Sequence, residues 1–229
     1  MLTDYHCHIL PGLDDGAESV EMSLEMLEVM KSYGVERIVA TSHFYAHRER
    51  SVERFLEKRQ QAYEKLMAAD PPIKNIILGA EVAIEKDLSE IKNIEKLAIQ
   101  GTDLILLEFP YKEFSNWMVE EIENVAATFG LTPIVAHVHR YFPFYTKSDY
   151  EKVLQADAVF QINAEAFGTF KESGLVKKLI KNEFSLVFGS DAHNVSDRKP
   201  NLNIAVKKLA KYEGILDKSN SLIDRHFIK

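Results

Sequence analysis

The sequence predicts an α/β fold, a distorted TIM-like (β/α)7 barrel. Strand-like and helix-like segments alternate almost throughout its 229 residues. The apolar runs lack strict in–out alternation, which indicates parallel strands buried on both faces beneath helices. Six of those runs end in a histidine or a carboxylate. A barrel carries all the carboxyl ends of its strands to one rim, whereas a doubly wound open sheet places ligands only where strand order reverses. The barrel therefore accounts for six such endings better than the open sheet does.

Residues 3–9 read as the first strand, followed by a helix over 20–33 with Val20, Leu24, Leu27 and Met30 on one face. Glu18-Ser19 supplies its cap and Gly34 closes it. The second strand spans 36–43. A long charged helix over 52–67 then sets Phe55, Leu56, Arg59 and Tyr63 at helical spacing. Further strands are expected over 75–83, 103–109, 133–138, 158–163 and 185–190, with helices over 117–129, 175–182 and 202–212 before a polar tail. No repeat, linker or low-complexity segment breaks the pattern, so residues 1–229 read as one domain.

With 46% hydrophobic residues the chain can bury a substantial core. Its formal charge of −7 leaves no basic footprint for nucleic acid. No stretch has the apolar length of a membrane span, and the first strand leaves no room for a signal peptide. One cysteine excludes an internal disulfide and fits a reducing compartment. The expected location is the cytoplasm, without membrane insertion.

The strand endings carry the chemistry. His6-Cys7-His8 places two imidazoles on one face of a strand and Cys7 on the other. Asp14-Asp15-Gly16 follows; Asp-Gly commonly only makes a turn, yet beside His6 and His8 one carboxylate can reach the same cation. His43, Glu81, Glu108 and His137 each end an apolar run, and Asp191-Ala192-His193 repeats the alternate spacing of the first motif. A lone histidine at such a position is more often hydrogen-bonded or solvated than a ligand. A carboxylate ending so apolar a run must reach solvent or a cation, because burying it unpaired is expensive. Taken together, these nitrogen and oxygen donors imply a multinuclear hydrolytic metal site whose positive field suits a phosphate monoester.

Arg140 and Arg198 lie just beyond His137 and His193, where a guanidinium can grip phosphate oxygens, although a surface role is the commoner fate. Arg48 and Arg50 are weaker candidates for the same work. Trp117 and Phe142-Pro143-Phe144-Tyr145 are candidates to border a cleft, against the ordinary reading of aromatics as core. His139 and His47 read as loop residues with a supporting role open to them, and His226 as solvated. Cys7 is no phosphatase nucleophile. A thiolate phosphatase needs an arginine six residues on, and Leu13 stands there.

These motifs, from His6-Cys7-His8-Ile9-Leu10-Pro11-Gly12-Leu13-Asp14-Asp15-Gly16-Ala17 through Ala40-Thr41-Ser42-His43, Gly79-Ala80-Glu81, Leu107-Glu108-Phe109, Ala136-His137 and Ser190-Asp191-Ala192-His193-Asn194, resemble the PHP (polymerase and histidinol phosphatase) superfamily. More narrowly, they resemble its bacterial metal-dependent protein-tyrosine phosphatases of capsular and exopolysaccharide synthesis. The resemblance implies a PHP-fold barrel and three divalent ions, commonly manganese, with iron or zinc as alternatives. It implies one ion on His6, His8, Glu81 and Asp191, a second on Glu81, Glu108 and His137, and a third on Asp15, His43 and His193. It places Arg140 and Arg198 on the substrate phosphate. A metal-bridging hydroxide would then hydrolyse phosphotyrosine on the tail of a bacterial tyrosine kinase that regulates polysaccharide synthesis. His139 departs from the family pattern, which has glutamate before the arginine. The alternatives are a histidinol-phosphate or other small phosphomonoester phosphatase, a phosphodiesterase, and a non-catalytic kinase-binding regulator.

Overall fold

The computed structural model describes residues 1–49 and 51–228; Arg50, one of the weaker phosphate candidates, lies outside them. The described strands are β1 (Leu2–Cys7), β2 (Val35–Ala40), β3 (His43–Phe44), β4 (Ile76–Leu78), β5 (Glu81–Ala83), β6 (Leu104–Glu108), β7 (Thr132–Val135), β8 (Val159–Asn163) and β9 (Leu186–Gly189). All pairings between them are parallel, in the orders β1-β2-β4 and β3-β5-β6-β7-β8-β9. A parallel bridge between Cys7 and Ala192 joins the first strand to the segment after the last. Two backbone hydrogen bonds flank it, Asp191 N to His6 O at 2.7 Å and His8 N to Ala192 O at 2.9 Å. The ring thus closes as a distorted barrel.

Two of the seven expected strands are interrupted. The 36–43 run breaks into β2 and β3, and the 75–83 run into β4 and β5. Backbone at 41–42 and 79–80 leaves the ladder there, and pairing resumes with His43 opposite Glu81. The helix α2 (Val52–Ala68) serves the break directly: buried Arg59 donates from Nη1 to the Gly79 carbonyl at 2.7 Å. A carbonyl freed from a sheet is otherwise a buried acceptor without a partner.

The helix α1 (Val20–Ser32) begins at the Ser19 cap, whose hydroxyl accepts from Met22 N, and Gly34 follows its end with φ +84°. The helix α3 (Trp117–Phe129) has the expected bounds. Four other segments differ from the sequence reading. A further helix, α4 (Lys147–Gln155), rises from a Thr146 cap, and α5 (Phe170–Lys181) starts at a Thr169 cap, five residues ahead of its apolar face. Between β5 and β6 only two short 3-10 turns form, Leu88–Glu90 and Ile94–Leu97. After α6 (Leu202–Leu209), the polar tail folds as α7 (Ile215–Asn220) and α8 (Leu222–Arg225), burying Leu222 and Ile223.

Apolar side chains form two clusters. The larger includes Ile105, Leu107, Val135, Phe160 and Phe188 with helical partners such as Leu27, Phe55 and Ile122. The smaller collects Tyr5, Val39, Leu104, Leu106, Ile134, Val159 and Val187 with Leu222 and Ile223. Strand parity then positions the site. The parity of Leu104 and Leu106 leads to Glu108, and that of Val159 to Gln161 and Asn163. One face is therefore apolar at the floor and polar at the rim. Among the described residues no helix is long and apolar enough to cross a membrane.

Candidate metal centre

All nine sequence-predicted donors gather at the carboxyl ends of the strands. Three overlapping groups have candidate ligand atoms within 4.8 Å of one another: His6, His8, Glu81 and Asp191; His8, Asp15, His43 and His193; and His43, Glu81 and Glu108. His137 adjoins them, with Nε2 at 2.9 Å from Glu81 Oε1 and 3.5 Å from Glu108 Oε1. Its parity differs from that of Ile134 and Ala136, and it joins the group through a left-handed backbone, φ +27°. Asp191 is left-handed too, at φ +51°. Such backbone at non-glycine residues is strained and persists only where its surroundings enforce it.

Two glycines make room. A Cβ on Gly16 would sit 2.5 Å from His8 Cβ, and one on Gly189 would sit 2.7 Å from His6 Cβ. Only glycine lets those backbones approach the His6–His8 strand so closely.

The donor set fits cations by its own chemistry. His6 Nε2 and His8 Nε2 are 3.1 Å apart, and Glu81 Oε2 lies 3.0 Å from the first and 3.2 Å from the second. His43 Nδ1, Glu81 Oε2 and His193 Nε2 are buried without a hydrogen-bond partner. Lone pairs so crowded in a buried place call for protons or cations between them. Burial opposes ionisation of Glu81 and Asp191, but the imidazoles around them, and Arg140 beside Asp191, hold both well below the usual carboxylate range. Burial likewise opposes charging His137, yet Glu108 and Glu81 push it up to about 9.

The structure separates the two aspartates of the turn. Asp14 Oδ2 accepts from His8 Nδ1 at 2.8 Å and from the His43 backbone at 2.9 Å, so it orients one imidazole and anchors the next strand end. Asp15 faces outward toward His43 Nε2 at 3.4 Å and His193 Nε2 at 3.5 Å. Three more residues escaped the sequence reading. Gln161 Oε1 accepts from His6 Nδ1 and from the His137 backbone, and its amide donates to Asn163 Oδ1. Asn163 donates in turn to Asp191 Oδ2 at 3.0 Å. Thus β8, whose expected run over 158–163 carries no candidate ligand at its end, supplies the amides that orient three of them. Glu165 accepts from Arg140 Nε at 2.8 Å and Nη2 at 2.5 Å. Burial works against its ionisation, but His139 and Arg140 hold it at about 2.

A cleft of about 710 Å³ opens over this floor, lined by Arg140, Arg198, Tyr45 and Tyr111 among others. Both arginines meet Asp191, Arg140 through Nη1 at 2.6 Å and Arg198 through Nη2 at 3.2 Å. Arg198 Nη1 also faces Asp15 at 3.6 Å. Tyr111 stacks on His137, with centroids 5.9 Å apart.

Arg48 rests over the Tyr45 ring. The Trp117 ring lies beneath Lys86 and Lys112, while Phe142, Pro143 and Tyr145 line a separate hollow. His139 is fully buried, 3.7 Å from Glu165. His47 borders the cleft and pairs with Glu85 at 2.9 Å. His226 is half-buried and bonded to Asp103 at 2.8 Å, because the tail folds back onto the barrel. Cys7 is buried, and burial pushes its thiol well above the ordinary range, as suits an inert side chain.

Fold and site define a parallel barrel with a candidate metal centre at its strand ends. The model of the capsular polysaccharide synthesis CpsB/CapC family matches residues 2–223, and the chain belongs to that family. It is 30% identical over 208 residues to the putative tyrosine-protein phosphatase CapC of Staphylococcus aureus, covering 86% of this chain and 79% of that protein. It is 28% identical over 222 residues to the tyrosine-protein phosphatase YwqE of Bacillus subtilis, covering 93% and 85%. A solved structure from a study of YwqE and of CpsB from Streptococcus pneumoniae, described as metal-dependent tyrosine phosphatases, superposes with a TM-score of 0.80 at 24% identity, covering 100% of this chain and 96% of that one.

Proposed function

We propose that the protein is a cytoplasmic, metal-dependent protein-tyrosine phosphatase acting on a bacterial tyrosine kinase that regulates capsular or exopolysaccharide synthesis. The observation that carries this reading is the coincidence of three overlapping donor groups with two arginines in one cleft. We assign three divalent ions, manganese foremost, to the sets implied by the resemblance: His6, His8, Glu81 and Asp191; Glu81, Glu108 and His137; and Asp15, His43 and His193. His8 stands close enough to the third set to contribute as well.

Such ions supply Lewis acidity and bring the pKa of a coordinated water toward neutrality. The chain does the rest. Arg140 and Arg198 project fixed N–H donors at the phosphoryl oxygens, where negative charge is redistributed during transfer. Glu165 and Asp191 hold Arg140 from two sides, fixing its plane before substrate arrives. Tyr111 offers an aromatic wall beside His137 for the phenyl ring. The departing phenolate, with a conjugate-acid pKa of about 10, needs little help from a general acid. No covalent intermediate is required of any side chain.

The deciding experiment is chelation followed by add-back of manganese, iron or zinc, with turnover of a phosphotyrosine peptide and of histidinol phosphate measured side by side. Chelation should abolish peptide hydrolysis, and manganese should restore it best. Preference for histidinol phosphate would move the assignment to the small-molecule branch. Retention of full activity after chelation would end it.

A further inference from the structure

We propose that the hollow between the 138–146 loop, α4 and α5 docks an acidic segment of the protein substrate beside its phosphotyrosine. This deepens the phosphatase reading and rests on it.

The hollow has a volume of about 660 Å³ and an apolar floor that includes Phe142, Tyr150 and Leu175. Lys147, Lys171 and Lys178 rim it against one acid, Glu151. In a chain of formal charge −7 that is a local reversal of sign. Lys147 shares Glu151 at 3.8 Å, while Lys171 stands over the Phe142 ring at 5.1 Å. An apolar floor under a lysine rim favours a peptide that brings both carboxylates and an apolar side chain.

The hollow also adjoins the candidate active site. One loop furnishes both walls, with Arg140 on the cleft and Phe142, Pro143 and Tyr145 on the hollow. A row of rings joins them: Tyr145 stacks on Tyr141 at 5.7 Å and 12°, and Tyr141 meets Tyr111 at 5.7 Å and His137 at 5.6 Å. Around this loop three large side chains remain exposed: Tyr111 at 51%, Phe144 at 62% and, next to Lys171, Phe170 at 98%. Exposed aromatics grouped in this way mark an interaction surface. A substrate whose phosphotyrosine enters the cleft would carry its neighbouring residues over the exposed rings of Tyr111 and Phe144, whose centroids are 6.4 Å apart above the buried Tyr141.

The test uses the full-length, metal-loaded protein and the double charge reversal Lys171→Glu/Lys178→Glu, with Lys171→Ala/Lys178→Ala as the milder partner. KM for a phosphotyrosine peptide with acidic flanks should rise roughly tenfold in the reversal, from about half to one kcal/mol per reversed surface charge. Its kcat should hold, and kcat/KM for para-nitrophenyl phosphate should stay within about twofold, since neither lysine lines the cleft. The peptide effect should shrink in high salt. Fluorescence anisotropy with an unphosphorylated acidic peptide reads the hollow separately from the chemistry. Loss of that binding in the reversal supports the proposal even if no aryl phosphate is turned over, an outcome that would instead sink the phosphatase reading. Equal use of acidic and neutral flanks by the native protein, an equal loss for peptide and small substrate, or a reversal that changes only self-association would each overturn the docking site.

Discussion

Buried polar groups occupy both ends of this barrel, and they are treated in opposite ways. At the floor, Arg37 donates from Nε to Thr3 Oγ1 at 3.0 Å, from Nη1 to Asp224 at 2.5 Å and from Nη2 to the Asn220 carbonyl at 2.5 Å. Tyr5 donates its hydroxyl to the Ser219 carbonyl at 2.7 Å and accepts from the Ile223 amide at 3.0 Å. Those groups answer one another and lock the tail across the barrel end. At the rim, imidazole and carboxylate atoms face each other with partners missing, and two residues there keep left-handed backbone. A closed network stabilises a fold; an open one, held in place against its own repulsions, is a site awaiting something from outside. Substitutions at the two ends should therefore separate activity from stability.

The largest effect should come from Glu81→Gln, because Glu81 lies within reach of His6, His8, His43 and His137. Loss of one anionic oxygen there should lower turnover by about 10³-fold or more, the scale of removing a main transition-state stabiliser, and bound metal should fall with it. Elemental analysis beside kinetics checks both. Full metal content with intact turnover would contradict the shared position assigned to Glu81.

Arg37→Ala tests the other end. Removing the buried guanidinium from this half-exposed ion pair, with its carbonyl bond, should destabilise the fold by about 3 kcal/mol, the lower end for fully buried pairs because Asp224 is half exposed. Specific activity per folded, metal-loaded molecule should not change. Denaturant melts supply the first number and steady-state kinetics the second. A drop in kcat without loss of stability would blur the two ends into one system.

A pH series sharpens the contrast without mutation. In the metal-free chain His137 is pushed up to about 9, above its ordinary 6.5, chiefly by Glu108 and Glu81 against the effect of burial. A raised histidine stabilises the fold while protonated: the contribution is complete below about 6.5 and disappears as pH rises through about 9. Metal binding needs the neutral ring and releases that proton, so affinity should strengthen over the same window. The gap in Tm between metal-loaded and chelated protein should widen from pH 6.5 to 9, and a gap that narrows would remove His137 from the ligand set. Arg37 and Tyr5 variants should show the same widening, offset to lower Tm.

What the sequence reveals of this contrast follows from chemistry. Histidine, aspartate and glutamate are common cation ligands, and a polar ending on an apolar strand stands out, so eight of the nine candidate donors stand out from the residues alone, while Asp15 comes from the family resemblance. Gln161 and Asn163 were not, because an amide is common and its part depends on which imidazole the barrel brings beside it. Glu165 was hidden for the same reason, since its partner Arg140 lies on another loop. The residues alone leave Asp14 and Asp15 open and the resemblance favours Asp15; the separate part of Asp14, bonded to the His8 ring and the His43 backbone, needs the folded chain. The strand breaks at 41–42 and 79–80 leave no compositional mark beyond Gly79. The floor was misread outright: a tail rich in polar residues hides Leu222 and Ile223, whose burial requires the barrel end as a partner.

Tyr5→Phe gives the smallest effect and isolates that hidden end. The substitution keeps the ring in its apolar cluster and deletes only the hydroxyl, leaving the Ser219 carbonyl and the Ile223 amide without their partner. One buried amide left unpaired, and a carbonyl left with only the Ser221 N–H, should lower stability by about 1–2 kcal/mol, less than Arg37→Ala because no charge is exposed. Amide hydrogen exchange should locate the loss. Protection should fall at Ile223 and along α7 and α8, while the amides of His6, His8 and Asp191 exchange as before. Loosening at those rim amides would mean that the tail supports the site through the barrel wall, and that floor and rim share one network after all.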